Sequence, residues 1–237
     1  MRKRFFGKIL SFMATLTMSL YAHTATADTI AVIGTGNVGG ALGPEFAALG
    51  HTIIYGSREP QRSDVRDLVA RTGNGASATQ PRDAVVDADI VVLAVPGTAA
   101  VQIARGLGDL SGKIILDPTN VVDRSGEYMI HGIEGKGSNA QMIQDIHPNA
   151  PVVKAFNTLN YRQMVDPESA GGPISIPLAG NDSRAKNVVA ELVEGMGLSA
   201  IDVGPLVNAH VLEEMLVMWA YSIGGDNAYN FYLRPMP

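Results

Sequence analysis

Cysteine is absent from all 237 residues, which excludes disulfides, a thiolate nucleophile and any thiolate metal site. Past residue 27 no stretch is apolar for the roughly 20 residues that a bilayer span requires. The five histidines are scattered and no pair has metal-ligand spacing, so no metal site is expected. Internal repeats and low-complexity segments are also missing. Positive charge is the scarcer sign: 18 Lys and Arg against 23 Asp and Glu give a formal charge of −5. Such a chain is a poor candidate for binding nucleic acid or anionic lipid by charge.

What basic character there is gathers at the start. Arg2, Lys3, Arg4 and Lys8 precede a mainly apolar stretch at 9–22, and Ala25-Thr26-Ala27 then offers small residues to a signal peptidase. An export signal spanning 1–27, cut after Ala27, is expected, with a periplasmic product. The competing reading is a membrane anchor, against which Ser11, Thr15, Thr17 and Ser19 interrupt the apolar stretch. Lys3-Arg4 with Phe6 and Lys8 resembles a weakened twin-arginine signal; an ordinary Sec leader is the alternative. Cleavage removes four positive and no negative charges, so the 210 remaining residues carry a formal charge of −9. That length suits one α/β domain over 28–237.

The β-branched run at 29–33, without polar alternation, predicts a strand buried on both faces. It meets a glycine cluster at Gly34. A helix at 41–49 follows, with Pro44 near its first turn, then a strand at 51–55, a helix at 62–71 and a strand at 76–79. A short helix at 83–88 leads to the clearest strand, IVVLAV at 90–95, stopped by Pro96-Gly97. A helix at 98–105 and a strand at 113–116, stopped by Asp117-Pro118, complete the run. Strand–helix alternation implies right-handed crossovers and a parallel sheet covered on both faces.

After Asn120 the rhythm loosens. Residues 121–137 read as loop, 139–146 as helix, 152–156 as strand and 162–173 as loop. A strand at 174–179, broken at Pro177, precedes a helix at 183–196 that is capped by Asn181-Asp182 and ended by Gly197. A strand at 198–203, a Met-rich closing helix at 212–223 and an aromatic tail finish the chain. The fold class is α/β: a Rossmann-like, doubly wound, mainly parallel sheet with a small C-terminal helical extension.

Gly34-Thr35-Gly36-Asn37-Val38-Gly39 fits the dinucleotide fingerprint: a tight turn, a backbone that a pyrophosphate can approach, and close helix–sheet packing. Its setting, between a strand and a helix and ahead of a second strand, supports it. An acidic residue at the end of the second strand would hold the ribose hydroxyls of NAD. Here the sequence is YGSRE, residues 55–59. Ser57 can donate a hydrogen bond, Arg58 offers a planar cationic fork, and Arg62 could add a second charge. These residues point to NADP(H), whose 2′-phosphate an acid would repel. The alternative is a surface pair of Arg58 with Glu59 or Asp64, and Glu59 is the dissonant residue. The turns Pro96-Gly97-Thr98 and Asp117-Pro118-Thr119-Asn120 lie where a nicotinamide would sit.

IAVIGTGNVGGAL, GHTIIYGSRE, ADIVVLAVP, ILDPTN, VVKAFNTL and PLAGNDSRAK occur in the order found in one family. The chain resembles the deazaflavin-dependent NADP reductases, and also the cytosolic reductase domain of the STEAP metalloreductases, from about Ile30 to Pro205. The resemblance implies that Gly34, Thr35, Gly36, Asn37 and Val38 line the pyrophosphate turn. It implies Ser57, Arg58 and Arg62 at the 2′-phosphate, Val95 and Pro96 at the nicotinamide ribose, and Ala155, Phe156 and Asn157 beside the nicotinamide and acceptor ring. The implied reaction passes a hydride between NADP(H) and a flavin or deazaflavin, a small-molecule acceptor. It needs no protein acid or base, so no catalytic residue is named. This chain departs from its relatives in its export signal and in lacking the metalloreductases' six spans and haem.

Two other functions stay open: a small carbonyl or imine reductase, with Tyr161, Lys154 or His131 as proton donor, and a non-catalytic NADP(H)-binding redox sensor. His51, His131, His147 and His210 read as structural. Met215, Met218 and Trp219 suit core or homodimer packing, while Tyr229, Phe231 and Tyr232 could line a flavin pocket or a dimer contact.

Overall fold

In the computed structural model, which describes residues 27–127, 129–133, 137–222 and 231–236, β1 (Thr29–Ile33) leads into α1 (Asn37–Ala48), β2 (Thr52–Gly56) and α2 (Ser63–Thr72). β3 (Ser77–Thr79), α3 (Pro81–Ala84), β4 (Ile90–Leu93), α4 (Gly97–Gly106) and β5 (Ile114–Asp117) follow. Next come the short strands β6 (Val122–Asp123) and β7 (Ile130–His131), then α5 (Asn139–Ile146), β8 (Val152–Lys154) and α6 (Tyr161–Val165). β9 (Ser175–Gly180), α7 (Ser183–Gly195), β10 (Ser199–Asp202) and α8 (Ala209–Ser222) end the described fold. The leader, residues 1–26, and Tyr229 lie outside the described residues.

The main sheet runs β10-β9-β8-β5-β4-β1-β2-β3. It is parallel from β3 to β8; β9 then pairs antiparallel with β8, and β10 parallel with β9. Alternate residues of each central strand serve opposite faces. Ile30, Val32, Ile90 and Val92 pack in one core with Leu42, Phe46 and Val189, whereas Ala31, Ile33, Val91 and Leu93 pack in another with Ala104 and Leu107. Burying one such aliphatic side chain contributes about 1.5–3 kcal/mol, so apolar residues on both faces select a sheet between two helical layers. The strand order turns between β1 and β4, where doubly wound folds hold their ligands.

Four local expectations need correction. α1 begins at Asn37, so Pro44 is its eighth residue rather than part of its first turn. Pro44 has no N–H to return to the Gly40 carbonyl, and Arg71 Nη2 donates to that carbonyl instead at 3.0 Å. The segment after Asn120 is not all loop: β6 and β7 pair as an antiparallel hairpin. Residues after Arg162 are not all loop either, because the Asn160 side chain caps α6 by accepting from the Arg162 amide at 3.0 Å.

β9 runs unbroken through Pro177. The carbonyls of Ile174 and Leu178 accept from Ser199 and Val203, so the even-numbered residues bond toward β10. Pro177 has the other parity and faces an edge where pairing with β8 has ended, so its missing N–H costs no ladder bond.

The C-terminal end of the sheet is tied together by a buried charge. Lys154 and Asp117 are partners in the β5–β8 register, and both are fully buried. Lys154 Nζ donates to Asp117 Oδ2 at 3.0 Å, to Glu213 Oε1 on α8 at 2.6 Å and to the Thr119 carbonyl, which uses all three of its hydrogens. Glu213 Oε1 also accepts from the Asn139 amide at 2.9 Å, and its Oε2 faces His131 Nε2 at 3.2 Å. One lysine thus holds β5, β8, α8, the start of α5 and the hairpin in a single arrangement. Replacing Lys154 by Met leaves two buried carboxylates without their cation, and removing one partner of a buried pair costs about 3–5 kcal/mol. Urea unfolding of K154M should show a loss of that order; a loss below about 1 kcal/mol, the worth of an exposed pair, would contradict this role.

Candidate functional site

The turn after β1 is shaped by two close approaches. Gly34 has φ +105°, and a Cβ there would collide with the Ala94 carbonyl group, whose carbon lies 2.9 Å from that position. A Cβ at Gly39 would meet the Gly34 carbonyl and come within 3.1 Å of Val32 Cγ1. Gly36 faces open space, with nothing within 4 Å of its Cβ position. No side chain caps α1, so its first-turn amides are available to an anion, reinforced by the helix dipole.

This turn forms one wall of a 720 Å³ cleft. The cleft brings together Gly34, Thr35, Gly36, Ser57, Arg58, Arg62, Val95 and Pro96 from three strand ends. Asn37 is exposed on the first turn of α1 and does not line it. Pro81 and Gln102 also line the cleft. The sequence offered no signal for these two, because their approach to the site depends on how α3 and α4 pack.

At the β2 end the two arginines differ. Arg62 is held by Asp64 through a two-point pair, Nε to Oδ1 at 2.5 Å and Nη2 to Oδ2 at 3.0 Å. Hydrogen bonding to Arg62 lowers the Asp64 carboxyl below the usual range. The Arg58 guanidinium has no ion pair or hydrogen bond among the described residues; its carbonyl accepts from Gln80 Nε2 at 3.2 Å. Ser57 is buried and its Oγ accepts from the Glu59 amide at 3.2 Å, leaving the hydroxyl hydrogen to donate. Glu59 therefore serves the turn through its backbone, while its side chain stays exposed beside the cleft. The surface pair in this stretch is Arg62–Asp64, not one made by Arg58.

Across the α1 N-terminus from the cleft is a second pocket of 210 Å³. Val38, Phe156 and Asn157 line it, together with Asn120, Tyr161, Met164, Met215 and Trp219. Ala155 is fully buried and lines neither cavity. Phe156 has φ +64°, a left-handed conformation that costs a non-glycine residue about 1–3 kcal/mol. Its ring packs edge-on against Phe46, with centroids 6.3 Å apart. The next residue, Asn157, donates to Asn120 Oδ1 at 2.8 Å and to the Leu212 carbonyl at 2.7 Å, and its carbonyl accepts from Asn120 Nδ2 at 2.9 Å. These bonds join the β5 and β8 turns to α8. Met215 and Trp219, read from sequence as packing residues, prove to be pocket walls.

The other residues singled out are engaged elsewhere. Lys154 is sealed within its carboxylates, and His131 lies between the Ile133 carbonyl and Glu213. Tyr161 is the one proton-donor candidate of the three that reaches the pocket. His51 Nδ1 accepts from the Asp28 amide at 3.2 Å, while His147 Nε2 and His210 Nδ1 face the Ala104 and Val207 carbonyls. Among the described residues no three His, Cys, Asp or Glu side chains converge on a metal-sized site, and no helix is long and apolar enough to cross a membrane.

An open glycine turn with an uncapped helix start, at the switch point of a doubly wound sheet, marks an α/β protein of the Rossmann class. Comparison with known proteins narrows this. Residues 29–121 match the family described as NADP oxidoreductase, coenzyme F420-dependent. The F420-dependent NADP reductase of Methanothermobacter thermautotrophicus is 30% identical over 200 residues, covering 78% of this chain and 85% of that protein. A structure from Arthrobacter sp. FB24, described as an F420-dependent NADP-reductase, superposes with a TM-score of 0.79 at 32% identity, covering 88% of this chain and all of the other. The rat metalloreductase STEAP3 is 26% identical over 188 residues; the match takes 79% of this chain but only 36% of that longer protein. A reductive aminase from Aspergillus terreus shares the fold, at TM-score 0.61 and 20% identity over 84% of this chain and 63% of the aminase. The chain belongs to the coenzyme F420-dependent NADP oxidoreductase family, and is an NADPH-dependent oxidoreductase.

Proposed function

We propose that the chain reduces a planar flavin or deazaflavin with NADPH. The observation that carries this reading is the second pocket: an apolar slot bounded by Val38, Phe156 and Met215, set across the α1 N-terminus from the nucleotide cleft. NADPH supplies a hydride from its nicotinamide ring. Gly34, Thr35, Gly36 and the first-turn amides at Asn37 and Val38 hold its pyrophosphate, and Val95 and Pro96 flank the nicotinamide ribose. Ser57 donates to the 2′-phosphate, and Arg58 meets it with an uncommitted guanidinium. Arg62 plays a lesser part, because binding a phosphate would mean giving up Asp64.

The walls of the second pocket position the acceptor and exclude water. The strained Phe156 is held in place by Phe46 and by the Asn157–Asn120 exchange of hydrogen bonds. The proton that completes reduction comes from solvent, so sealed Lys154 and His131 take no part in it. A carbonyl or imine reductase would have only Tyr161 as its donor, with Arg162 Nε hydrogen-bonded to the phenol oxygen at 3.2 Å. We also read residues 1–27 as an export signal that carries this oxidoreductase to the periplasm.

Two experiments test the reading. By fluorescence titration Arg58→Ala should weaken NADPH by about 1–3 kcal/mol, the worth of a hydrogen bond to a charged group, and leave NADH binding as it was. Equal affinity of the unaltered protein for both nucleotides would contradict the assignment of Ser57 and Arg58. NADPH-loaded protein should be oxidised by FMN, FAD or a deazaflavin faster than the spontaneous reaction. Oxidation by none of the three would exclude this acceptor class.

A further inference from the structure

Beside the acceptor pocket lies a third cavity of 180 Å³, and the two share Thr158, Leu159, Asn160 and Trp219. This side slot shares no wall with the nucleotide cleft, so it extends the acceptor's side of the site. Its remaining walls differ in character from the apolar ring pocket. Phe231 and Tyr232 come from the tail, and Arg162 and Gln163 come from α6.

Arg162 is exposed and makes no ion pair among the described residues. Its Nε donates to the Tyr161 hydroxyl at 3.2 Å, and its guanidinium carbon sits 5.7 Å from that ring's centroid. Among the described residues both Nη groups are left uncommitted. The neighbouring Arg234 contrasts with it, because both of its Nη atoms donate to the carbonyls of Gly171 and Ala170 and so anchor the tail. One arginine thus builds the slot and the other is presented to it. On a chain with an excess of acidic residues, an unpaired guanidinium at the mouth of a substrate cavity favours an anion there.

Resting on the flavin or deazaflavin reading above, we propose that Arg162 is a specificity-determining residue that binds an anionic group, a phosphate ester or carboxylate, on the acceptor's side chain. The ring occupies the pocket between Val38 and Met215, and its substituent leaves through the slot. Asn160 and Gln163 offer hydrogen bonds to a polyol linker, and Arg162 meets the charge at its end. Arg58 and Arg162 then serve as two anion readers, one for each reactant.

FMN and riboflavin share a ring and differ by one phosphate, so KM for each with saturating NADPH isolates this contact. An exposed ion pair contributes up to about 1 kcal/mol, or roughly fivefold in affinity. FMN should have a KM about fivefold below that of riboflavin. The ratio should fall toward unity in Arg162→Gln, persist partly in Arg162→Lys, and shrink as salt is raised. NADPH titration of each variant reports whether it is folded, and the unaltered protein's own ratio decides the matter if a variant is not. Equal KM values for FMN and riboflavin in the unaltered protein, or a ratio that survives Arg162→Gln, would overturn the role of Arg162 and leave the acceptor ring assigned. Failure of NADPH-bound protein to reduce either flavin or the uncharged ring of 5-deazariboflavin would overturn both.

Discussion

A single ammonium, buried where the sheet meets its ligands, is the constraint on which the site depends. Lys154 has no exposure to water and compensates two carboxylates from distant parts of the chain, Asp117 and Glu213. A buried charge without partners costs several kcal/mol, so the fold is compelled to bring β5, β8 and α8 together at this point. Glu213 is two residues from Met215 and six from Trp219, both walls of the acceptor pocket. The ion cluster therefore fixes a pocket that it does not enter. This separates charge that shapes the site from the exposed guanidiniums of Arg58 and Arg162, to which the proposals above give the ligands.

The same division runs through the hydrogen bonds. Asn157 and Asn120 are spent on each other and on the α8 backbone. Asn139 binds the Gly97 carbonyl and Thr119 Oγ1, locking the β4 and β5 turns together. Hydride transfer depends on alignment more than on proton movement; the paired Asn157 and Asn120 amides and a strained, packed Phe156 supply alignment, while Asn157 Oδ1 is left buried without a partner among the described residues. Among the described residues that line the second pocket, Tyr161 alone carries an ionisable side chain, which suits the proposed chemistry.

Much of the fold was legible because its physics is local. The β-branched runs at 29–33 and 90–95 announce strands buried on both faces, and the glycines at 34, 36 and 39 announce the turn between β1 and α1. Ser57 and Arg58 stand just past the end of β2 and line the cleft. What escaped depends on distant partners. Pro44 looked like a first-turn residue because Arg71, which answers the freed Gly40 carbonyl, is 31 positions away. Pro177 reads as a strand break because nothing local reveals that its nitrogen faces an edge where pairing with β8 has ended. Lys154 looked like a candidate proton donor, since its two carboxylates lie 37 and 59 residues off in sequence. Arg62 lines the cleft as well, and its pair with Asp64, two residues on, is a local one. Met215 and Trp219 carried no sign that α8 crosses the end of the sheet rather than packing as core alone.

In the proposed reaction, nucleotide and acceptor ring meet directly across the α1 N-terminus, without a protein group relaying the reducing equivalent. This is tested most directly by following the hydrogen itself. NADPH deuterated at the nicotinamide C4 would be incubated with the protein and a 5-deazaflavin in ordinary water, because hydrogen at the deazaflavin C5 is bound to carbon and does not exchange. Direct transfer across the two pockets requires the reduced deazaflavin to carry deuterium at C5. Reduced product bearing only solvent hydrogen at C5, or no reduced product at all, would contradict the account.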